Sequence, residues 1–287
     1  MAYADRSGNT YEHDDLQDRV LKYLYGSMPG RVLIKQLAKP WVSKLAQILL
    51  SSGLSRIFIP FFIKWKKIDM KDYENKKYTS FNDFFIRKII RSRRIIDQSP
   101  NHLISPCDGK LSVYPIGRDT RFMVKNTSYT LRSLLRNRNL ADHYEDGTLL
   151  VFRLSVDDYH RYCYIDSGMK SKNFRIKGVF HTVNPIAHET VPVFKENTRE
   201  YTILSSRNFG RLLVMEVGAL LVGKIVNYHE KAYVMRGEEK GRFEFGGSTI
   251  IVCIEKGRVI IDNDIMENSM KGIETKVKMG EKIGAAI

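Results

Sequence analysis

The run Phe245-Gly-Gly-Ser-Thr-Ile250 places a serine behind two glycines, between two β-type segments. A hydrolase nucleophile elbow would need glycine at position 250, where this chain has isoleucine. The remaining chemistry is attack by the Ser248 hydroxyl on the unshielded carbonyl of Gly247. The resulting ester can eliminate to dehydroalanine and hydrolyse to a pyruvoyl group. A Gly-Gly-Ser turn without chemistry is commoner, so the motif needs support from residues elsewhere.

A reacting serine requires a base and an acid that orients the base, and two segments supply such groups. Asp108 lies in Ser105-Pro-Cys-Asp-Gly-Lys110, where a tight turn begins a strand, and its alternative role is that of an Asp-Gly turn residue. His160 and Cys163 lie in Asp157-Asp-Tyr-His-Arg-Tyr-Cys163 after a strand, and His160 alone could be a buried core histidine. No second histidine falls at a ligand spacing, so no metal site is predicted.

The cysteines and the N-terminus indicate the compartment. Cys107, Cys163 and Cys253 are far apart and form no Cys-x-x-Cys motif, which favours a reducing interior over a disulfide framework. No role is predicted for Cys107 or Cys253. Residues 1–18 carry several acidic groups and no apolar segment, so no secretory signal is expected and the protein is expected to be cytoplasmic.

The charge of the chain points to a polyanionic partner, since 47 Lys and Arg against 32 Asp and Glu give +15. Nucleic acid and an anionic membrane surface would both suit this charge, but no zinc-finger spacing, RRM signature or stacking platform is present. Apolar runs between residues 16 and 70 have basic residues beside them, and a basic run from Arg87 to Arg94 follows Phe84 and Phe85, a combination typical of helices that lie on a membrane. Gly53, Pro60 and interspersed charges leave no stretch of about 20 apolar residues. The alternative is an amphipathic helical layer packed on the rest of the protein.

After Pro100 the chain changes to short β-type runs separated by Gly, Asp and Asn. We therefore predict an α+β fold, with a helical, basic, membrane-associating region over residues 1–98 and a β-rich catalytic domain over residues 99–287. The strands must bring Ser248, Asp108 and His160 together.

Taken in order, these segments resemble the phosphatidylserine decarboxylase family over nearly the whole chain, and the Gly-Gly-Ser-Thr motif is similar to that of its shorter bacterial forms. The motifs that carry the resemblance are Phe81–Arg87, Ser105–Lys110, Asp158–Arg161, Val183–Pro185, Glu216–Ala219 and Lys240–Thr249.

The resemblance implies a proenzyme that cleaves itself between Gly247 and Ser248 into chains 1–247 and 248–287. Ser248 would become the pyruvoyl cofactor, which takes the substrate amine as a Schiff base and serves as electron sink when phosphatidylserine loses carbon dioxide and becomes phosphatidylethanolamine. It also implies a role for His160 in decarboxylation and for Asp108 as the acid of the self-cleavage triad. The expected partners are phosphatidylserine and an anionic phospholipid surface at the cytoplasmic face of a bacterial membrane, where the enzyme would be peripheral, with a homodimer plausible and nucleic acid not expected.

One position departs from the family pattern, because the second histidine of that triad is Cys163 here. A thiol with a pKa of about 8.5 is a poorer base at neutral pH than an imidazole. Three interpretations stay open: Cys163 or a shifted His160 serves as base, another histidine such as His188 does, or the chain is an unprocessed, catalytically impaired lipid-binding homologue. We favour an active enzyme, because the Asp, His and Gly-Ser elements occur together.

Overall fold

The protein is represented by a computed structural model that describes residues 2–12, 23–124, 127–179, 193–219, 224–246 and 248–287. Gly247, the Val183–Pro185 motif and His188 lie outside the described residues. Ser248 and the other candidate catalytic residues lie within them.

Half of the described α-helices, including the three longest, lie in the first third of the chain. Their bounds are α1 (Met28–Leu37), α2 (Pro40–Ser51), α3 (Phe58–Lys66), α4 (Phe81–Phe85), α5 (Leu131–Leu135), α6 (Arg138–Asp142), α7 (Val193–Glu196) and α8 (Asn263–Met270).

Local signals explain where these helices begin and end. Ser27 caps α1 by accepting a hydrogen bond from the amide of Gly30, and Ser80 caps α4 through the amide of Asp83. α3 ends at Lys66 and is capped by Lys67, whose φ of 51° is left-handed. A 3-10 helix, Gly53–Ile57, joins α2 to α3.

Strands dominate the rest of the chain. Their bounds are β1 (Ala2–Ala4), β2 (Thr10–Glu12), β3 (His102–Ile104), β4 (Gly109–Pro115), β5 (Arg121–Val124), β6 (Thr127–Thr130), β7 (Thr148–Leu154), β8 (Arg161–Cys163), β9 (Gly168–Lys170), β10 (Phe174–Ile176), β11 (Arg199–Ser206), β12 (Gly210–Val217), β13 (Ile225–Asn227), β14 (Ala232–Val234), β15 (Glu239–Phe243), β16 (Ser248–Ile254), β17 (Val259–Ile261), β18 (Glu274–Val277) and β19 (Lys282–Ala286).

The main sheet has eleven strands among the described residues, with the order β14-β9-β11-β12-β16-β7-β4-β18-β1-β2 and β10 beside β11. Strand β16 lies between β12 and β7, and all seven of its residues are buried. This is typical of a central strand covered on both faces. Two three-stranded sheets, β13-β15-β8 and β17-β19-β3, and the hairpin β5-β6 complete the architecture. Helices gathered near the N-terminus before a β-rich core confirm the predicted α+β class.

The N-terminal residues belong to the main sheet. Strand β1 pairs in parallel with β18, and Arg6 forms ion pairs with Asp262, Asp264 and Glu281. The division of the chain at residue 98 stays a prediction.

Helices α2 and α3 present an apolar surface to solvent. The exposed large apolar side chains between residues 41 and 65 are Trp41, Leu45, Ile48, Leu49, Leu54, Ile57, Phe58, Phe61 and Trp65. Within the described residues no single helix is long and apolar enough to cross a membrane, whereas the segments Trp41–Ser51 and Gly53–Lys66, bent by 71°, reach that length and composition as a pair.

A phenylalanine cluster separates this surface from the main core. Phe62 of α3 and Phe81, Phe84 and Phe85 of α4 form it, and Phe245 packs against them. The cluster therefore connects the exposed helices to the segment that precedes Ser248.

Candidate active site

Ser248 is the first residue of the central strand β16. It pairs with Leu154 of β7, and its side chain is fully buried. Gly246, two residues earlier, has a φ of 126°, a conformation that residues with a side chain rarely adopt. The glycine at 246 thus lets the chain bend sharply before it enters the sheet.

His160 is the described histidine that contacts Ser248. Its Nδ1 lies 3.4 Å from Ser248 Oγ, and its Nε2 lies 2.9 Å from the carbonyl oxygen of Ser155. A carbonyl oxygen only accepts hydrogen bonds, so Nε2 carries the proton in the neutral ring. The lone pair of Nδ1 then faces the serine hydroxyl, which is the arrangement required of a general base.

The site excludes water. His160 is fully buried, and its ring stacks on Phe85 with centroids 4.1 Å apart. Burial lowers the pKa of His160 to about 3, an effect that the charge of Arg87 adds to and that Asp158 opposes. The imidazole is therefore neutral, and available as a base, throughout the physiological pH range.

The loop that carries His160 is held at both ends. The Asp158 carboxylate accepts a hydrogen bond from the amide of Ser155 at 2.7 Å, and the amide of Phe243 donates to the carbonyl of His160 at 2.9 Å. Burial disfavours the charged form of Asp158, but Lys110 and the Ser155 amide stabilise it, so its pKa lies below the ordinary value. A fixed loop holds the imidazole in one orientation towards Ser248.

Asp108 precedes β4, as the sequence predicted, but its partners are not Ser248 or His160. Arg94 Nε donates to both carboxylate oxygens, at 2.9 and 3.1 Å, and the amide of Met279 donates to Oδ1 at 2.8 Å. Both side chains of this ion pair are 11% exposed. Within the described part of the chain, Asp108 makes no hydrogen bond to either member of the Ser248–His160 pair.

Cys163, at the end of β8, also lies apart from Ser248. Its amide donates to the carbonyl of Pro106 at 2.8 Å, and its Sγ lies 4.0 Å from the carbonyl oxygen of Ser105. Burial raises the pKa of the thiol to about 12. At neutral pH this thiol is protonated and turned towards the segment that contains Asp108.

The structure thus joins two of the predicted residues, Ser248 and His160, whereas it pairs Asp108 with Arg94 and places Cys163 against the backbone of Ser105 and Pro106. The catalytic roles of all four, and the cleavage site between Gly247 and Ser248, stay predictions. Sequence reasoning missed the carbonyl of Ser155, the ring of Phe85 and the guanidinium of Arg94. Phe85 and Arg94 lay in segments that the sequence had singled out, as a family motif and as a basic run, but neither pattern reveals which side chain they meet.

A buried ion pair shares the Ser248 face of the sheet. Glu216 pairs with Ile250 across β12 and β16, and alternation along β16 puts Ile250 and Ser248 on the same face. Lys240 Nζ lies 2.7 Å from Glu216 Oε1, and both side chains are almost fully buried. Burial raises the pKa of Glu216 in spite of this partner.

Among the described residues there is no group of three or more His, Cys, Asp and Glu side chains that could hold a metal ion. The candidate chemistry rests on a serine hydroxyl and an imidazole.

Comparison with known proteins identifies the family. The profile of the phosphatidylserine decarboxylase family matches residues 81–285. The chain belongs to this family. A protein of Clostridium acetobutylicum named phosphatidylserine decarboxylase proenzyme 2 is 47% identical over 275 residues, which cover 96% of this chain and 94% of that protein. Phosphatidylserine decarboxylase proenzymes of Clostridium novyi and Clostridium botulinum are 44% and 40% identical, and the matches cover 94% and 99% of this chain and 94% and 98% of those proteins.

Proposed function

We propose that this chain is a phosphatidylserine decarboxylase proenzyme that cuts itself between Gly247 and Ser248 and converts phosphatidylserine to phosphatidylethanolamine. The observation that carries the proposal is the unprotonated Nδ1 of His160, 3.4 Å from Ser248 Oγ in a fully buried site. The names of the related proenzymes support the substrate and the need for processing.

In the proposed self-cleavage, His160 Nδ1 takes the proton from Ser248 Oγ as this oxygen attacks the carbonyl carbon of Gly247. The peptide C–N bond breaks, the Ser248 nitrogen takes up a proton, and Gly247 is left as an ester on Oγ. Transfer of the Ser248 α-proton to His160, which has by then given its first proton to the Ser248 nitrogen, expels the Gly247 carboxylate. One water that enters after chain cleavage hydrolyses the resulting dehydroalanine, which releases ammonia and leaves a pyruvoyl group. A reaction that occurs once per molecule tolerates the long Ser248–His160 distance, and catalytic hydrogen bonds are often long before the reacting state is reached.

The residues around position 248 fit the formation of a pyruvoyl group there, since the serine faces a base in a dry site and its strand is fixed on both sides by β7 and β12. When present, this group supplies an electron sink for the bond that releases carbon dioxide. His160 Nδ1 stays beside residue 248 and is placed to hold or return a proton there. Phe85 covers the ring of His160 and keeps water from it.

The proposed partner surface is an anionic membrane. The apolar side chains on α2 and α3 are exposed, and Lys64, Lys66 and Lys67 lie at the end of α3. Insertion of apolar side chains with lysines at the headgroups is the usual mode of interfacial binding. The phenylalanine cluster joins this surface to the site, so a lipid headgroup would meet residue 248 close to the membrane. We also propose a peripheral location at the cytoplasmic face of a bacterial membrane, and a homodimer is compatible with this arrangement.

Intact mass spectrometry of the purified protein tests the proposal. We expect two chains, residues 1–247 and a fragment that starts at 248 with a carbonyl-bearing, blocked N-terminus. Ser248→Ala should give only full-length chain, whereas Ser7→Ala, which changes an exposed serine outside the site, should be cut normally. Only full-length wild-type protein after long incubation with phosphatidylserine vesicles would refute processing.

The alternative, an unprocessed lipid-binding homologue, makes a different prediction in the same measurements. Such a protein would float with anionic vesicles but would release no carbon dioxide from phosphatidylserine and stay in one piece. Cleavage together with loss of the lipid carboxylate excludes it.

A further inference from the structure

Arg87, which follows α4, is a buried cation that has no counter-ion among the residues the structure describes. Its side chain is 2% exposed, and its Nη2 donates to two neutral oxygens, the Tyr73 hydroxyl at 3.3 Å and the Asp157 carbonyl at 3.2 Å. The guanidinium lies between the rings of Tyr73 and Phe84, at 4.4 and 4.9 Å from their centroids. Its Nε and Nη1 have no hydrogen-bond partner within the described structure. A buried charge in this state is costly unless a ligand completes it.

Arg87 lines a cavity of about 180 Å³ that is positive on balance. Lys76, Lys88 and Arg161 line the same cavity, together with the carboxylates of Glu74 and Asp83. Asp83 is already neutralised by Lys76 at 2.6 Å and by the amide and hydroxyl of Thr79. Arg161 is paired with Glu239 at 2.6 Å. The charges left for a ligand are Arg87 and Lys88 against Glu74, which favours an anion.

The cavity adjoins the catalytic site through the chain itself. Arg161 follows His160 directly, and its Nε donates to the carbonyl of Ile86, next to Arg87, at 2.9 Å. Phe85, two residues before Arg87, stacks on His160. Arg87 lies close enough to His160 for its charge to lower the pKa of that ring. The cavity wall is therefore a neighbour of the base that faces residue 248.

We propose that this cavity is the subsite for the phosphodiester of the phospholipid headgroup, with Arg87 as the residue that binds it. The assignment rests on the proposed decarboxylase function and adds to it the group by which the substrate is held. A phosphodiester keeps its charge through the reaction, whereas the serine carboxylate leaves as carbon dioxide. A cation fixed on the carboxylate would stabilise the starting state and oppose its departure.

Binding of soluble probes to the uncut Ser248→Ala chain tests the subsite apart from catalysis. By calorimetry we expect glycerophosphoserine and inorganic phosphate to bind and free serine, which has the carboxylate without the phosphate, not to bind. Glycerophosphoserine binding without inorganic phosphate binding would still support a phosphodiester subsite. Equal binding of serine, or failure of glycerophosphoserine to bind, would overturn the assignment.

Matched substitutions locate the probe. Arg87→Gln should weaken glycerophosphoserine binding by about tenfold to a hundredfold, because a charge-assisted hydrogen bond is lost, whereas Arg91→Gln, which removes an exposed arginine outside the cavity wall, should leave it unchanged. If Arg87→Gln does not fold, glycerophosphoserine binding is measured in Lys88→Glu, which changes a lysine on the exposed rim of the cavity. Arg91→Glu is then the control. Unchanged binding in Arg87→Gln, or in Lys88→Glu where the first cannot be purified, would refute the subsite.

Kinetics separate this inference from the proposed function. In the self-cleaved fraction of Arg87→Gln, quantified by mass spectrometry, we expect a KM for phosphatidylserine raised by about tenfold or more and a smaller change in kcat. Normal cleavage with an unchanged KM overturns the subsite and leaves the decarboxylase proposal standing. A wild-type chain that never cleaves but binds glycerophosphoserine through Arg87 would support the subsite and refute the decarboxylase proposal.

Discussion

The Ser248–His160 pair and the Asp108–Arg94 pair contain the groups that the sequence put forward for one reaction, yet their surroundings differ. His160 is enclosed by Phe85, a carbonyl and a hydroxyl, so its ring stays neutral. Asp108 is enclosed by a guanidinium and a backbone amide, so its carboxylate oxygens already have partners of their own. The partners of a side chain thus decide whether it faces the serine or is held elsewhere.

Cys163 contacts the segment that contains Asp108 and not the Ser248–His160 pair. An imidazole at position 163 could accept a hydrogen bond from one group and donate to another, whereas the thiol is only a weak donor to the Ser105 carbonyl. Arg94 supplies Asp108 with a partner in this chain. The division predicts that His160 acts as the base without help from Asp108 or Cys163.

The largest expected effect follows removal of the imidazole. His160→Gln should slow self-cleavage by about a hundredfold or more, since a general base contributes on the order of 10²–10⁴. The rate is the appearance of the 248–287 fragment after synthesis. His102→Gln, whose ring contacts Asp97 elsewhere, is the control and should cleave normally. Cleavage at the wild-type rate in His160→Gln would show that His160 is not the base for self-cleavage.

Breaking the other pair should act on stability first. Asp108→Asn removes the nearer counter-ion of Arg94 at a site only 11% exposed and leaves it Asp72 at 4.0 Å, and we expect a loss of about 3 kcal/mol in the free energy of unfolding. Denaturant unfolding of the uncut Ser248→Ala background measures it. The control is Asp142→Asn, since the Arg132–Asp142 pair is exposed and should contribute less than about 1 kcal/mol. If Asp108→Asn also slows cleavage as much as His160→Gln while the protein stays folded, Asp108 belongs to the catalytic group.

The pH dependence of self-cleavage tests the dry environment of His160. Because burial lowers its pKa to about 3, the base form persists as the pH falls from 8 to 5, and the rate should change little. An imidazole with the ordinary pKa of about 6.5 would be protonated over the same range, and the rate would fall about thirtyfold at pH 5. A rate profile with a midpoint near pH 6.5 would show that the ring is solvated before it reacts.

The smallest effect is expected at Cys163. Cys163→Ala should change the cleavage rate by less than about threefold, because a thiol with a pKa raised to about 12 holds its proton, and the small void should cost about 1 kcal/mol of stability. Cys253→Ala, which removes an equally buried thiol from β16, is the matched control. A slower self-cleavage in Cys163→Ala but not in Cys253→Ala would indicate that the Cys163 thiol acts as the base.

The sequence predicted the fold class and the two residues that meet, for identifiable reasons. Alternating β-type runs after Pro100 and the apolar helical pattern before it are local signals, so the α+β class was readable. The Gly-Gly-Ser run and the Asp-Asp-Tyr-His segment were also local. Their meeting depends on the pairing of β16 with β7, which spacing along the chain does not reveal.

The partners of Asp108 could not be predicted. Arg94 is 14 residues away in an irregular segment, and one of several neighbouring basic residues reaches the carboxylate. The same limit applies to Arg87, which belongs to a basic run in the sequence but is buried between aromatic rings in the structure. Composition gives the number of charges, whereas tertiary packing decides which of them lose their water.

Ser248 stands at the first position of a central strand, and this has a consequence for the life of the molecule after cleavage. The segment 248–287 provides β16 between β12 and β7, β18 between β4 and β1, and β19 between β17 and β3. Two separate polypeptides would thus be interlaced in one set of sheets, held by the hydrogen bonds of their neighbours. Such a protein has to fold as one chain and be cut afterwards, because rejoining the pieces from the denatured state would become a bimolecular assembly. We expect the cleaved, two-chain form to be kinetically stable and to refold poorly after denaturation.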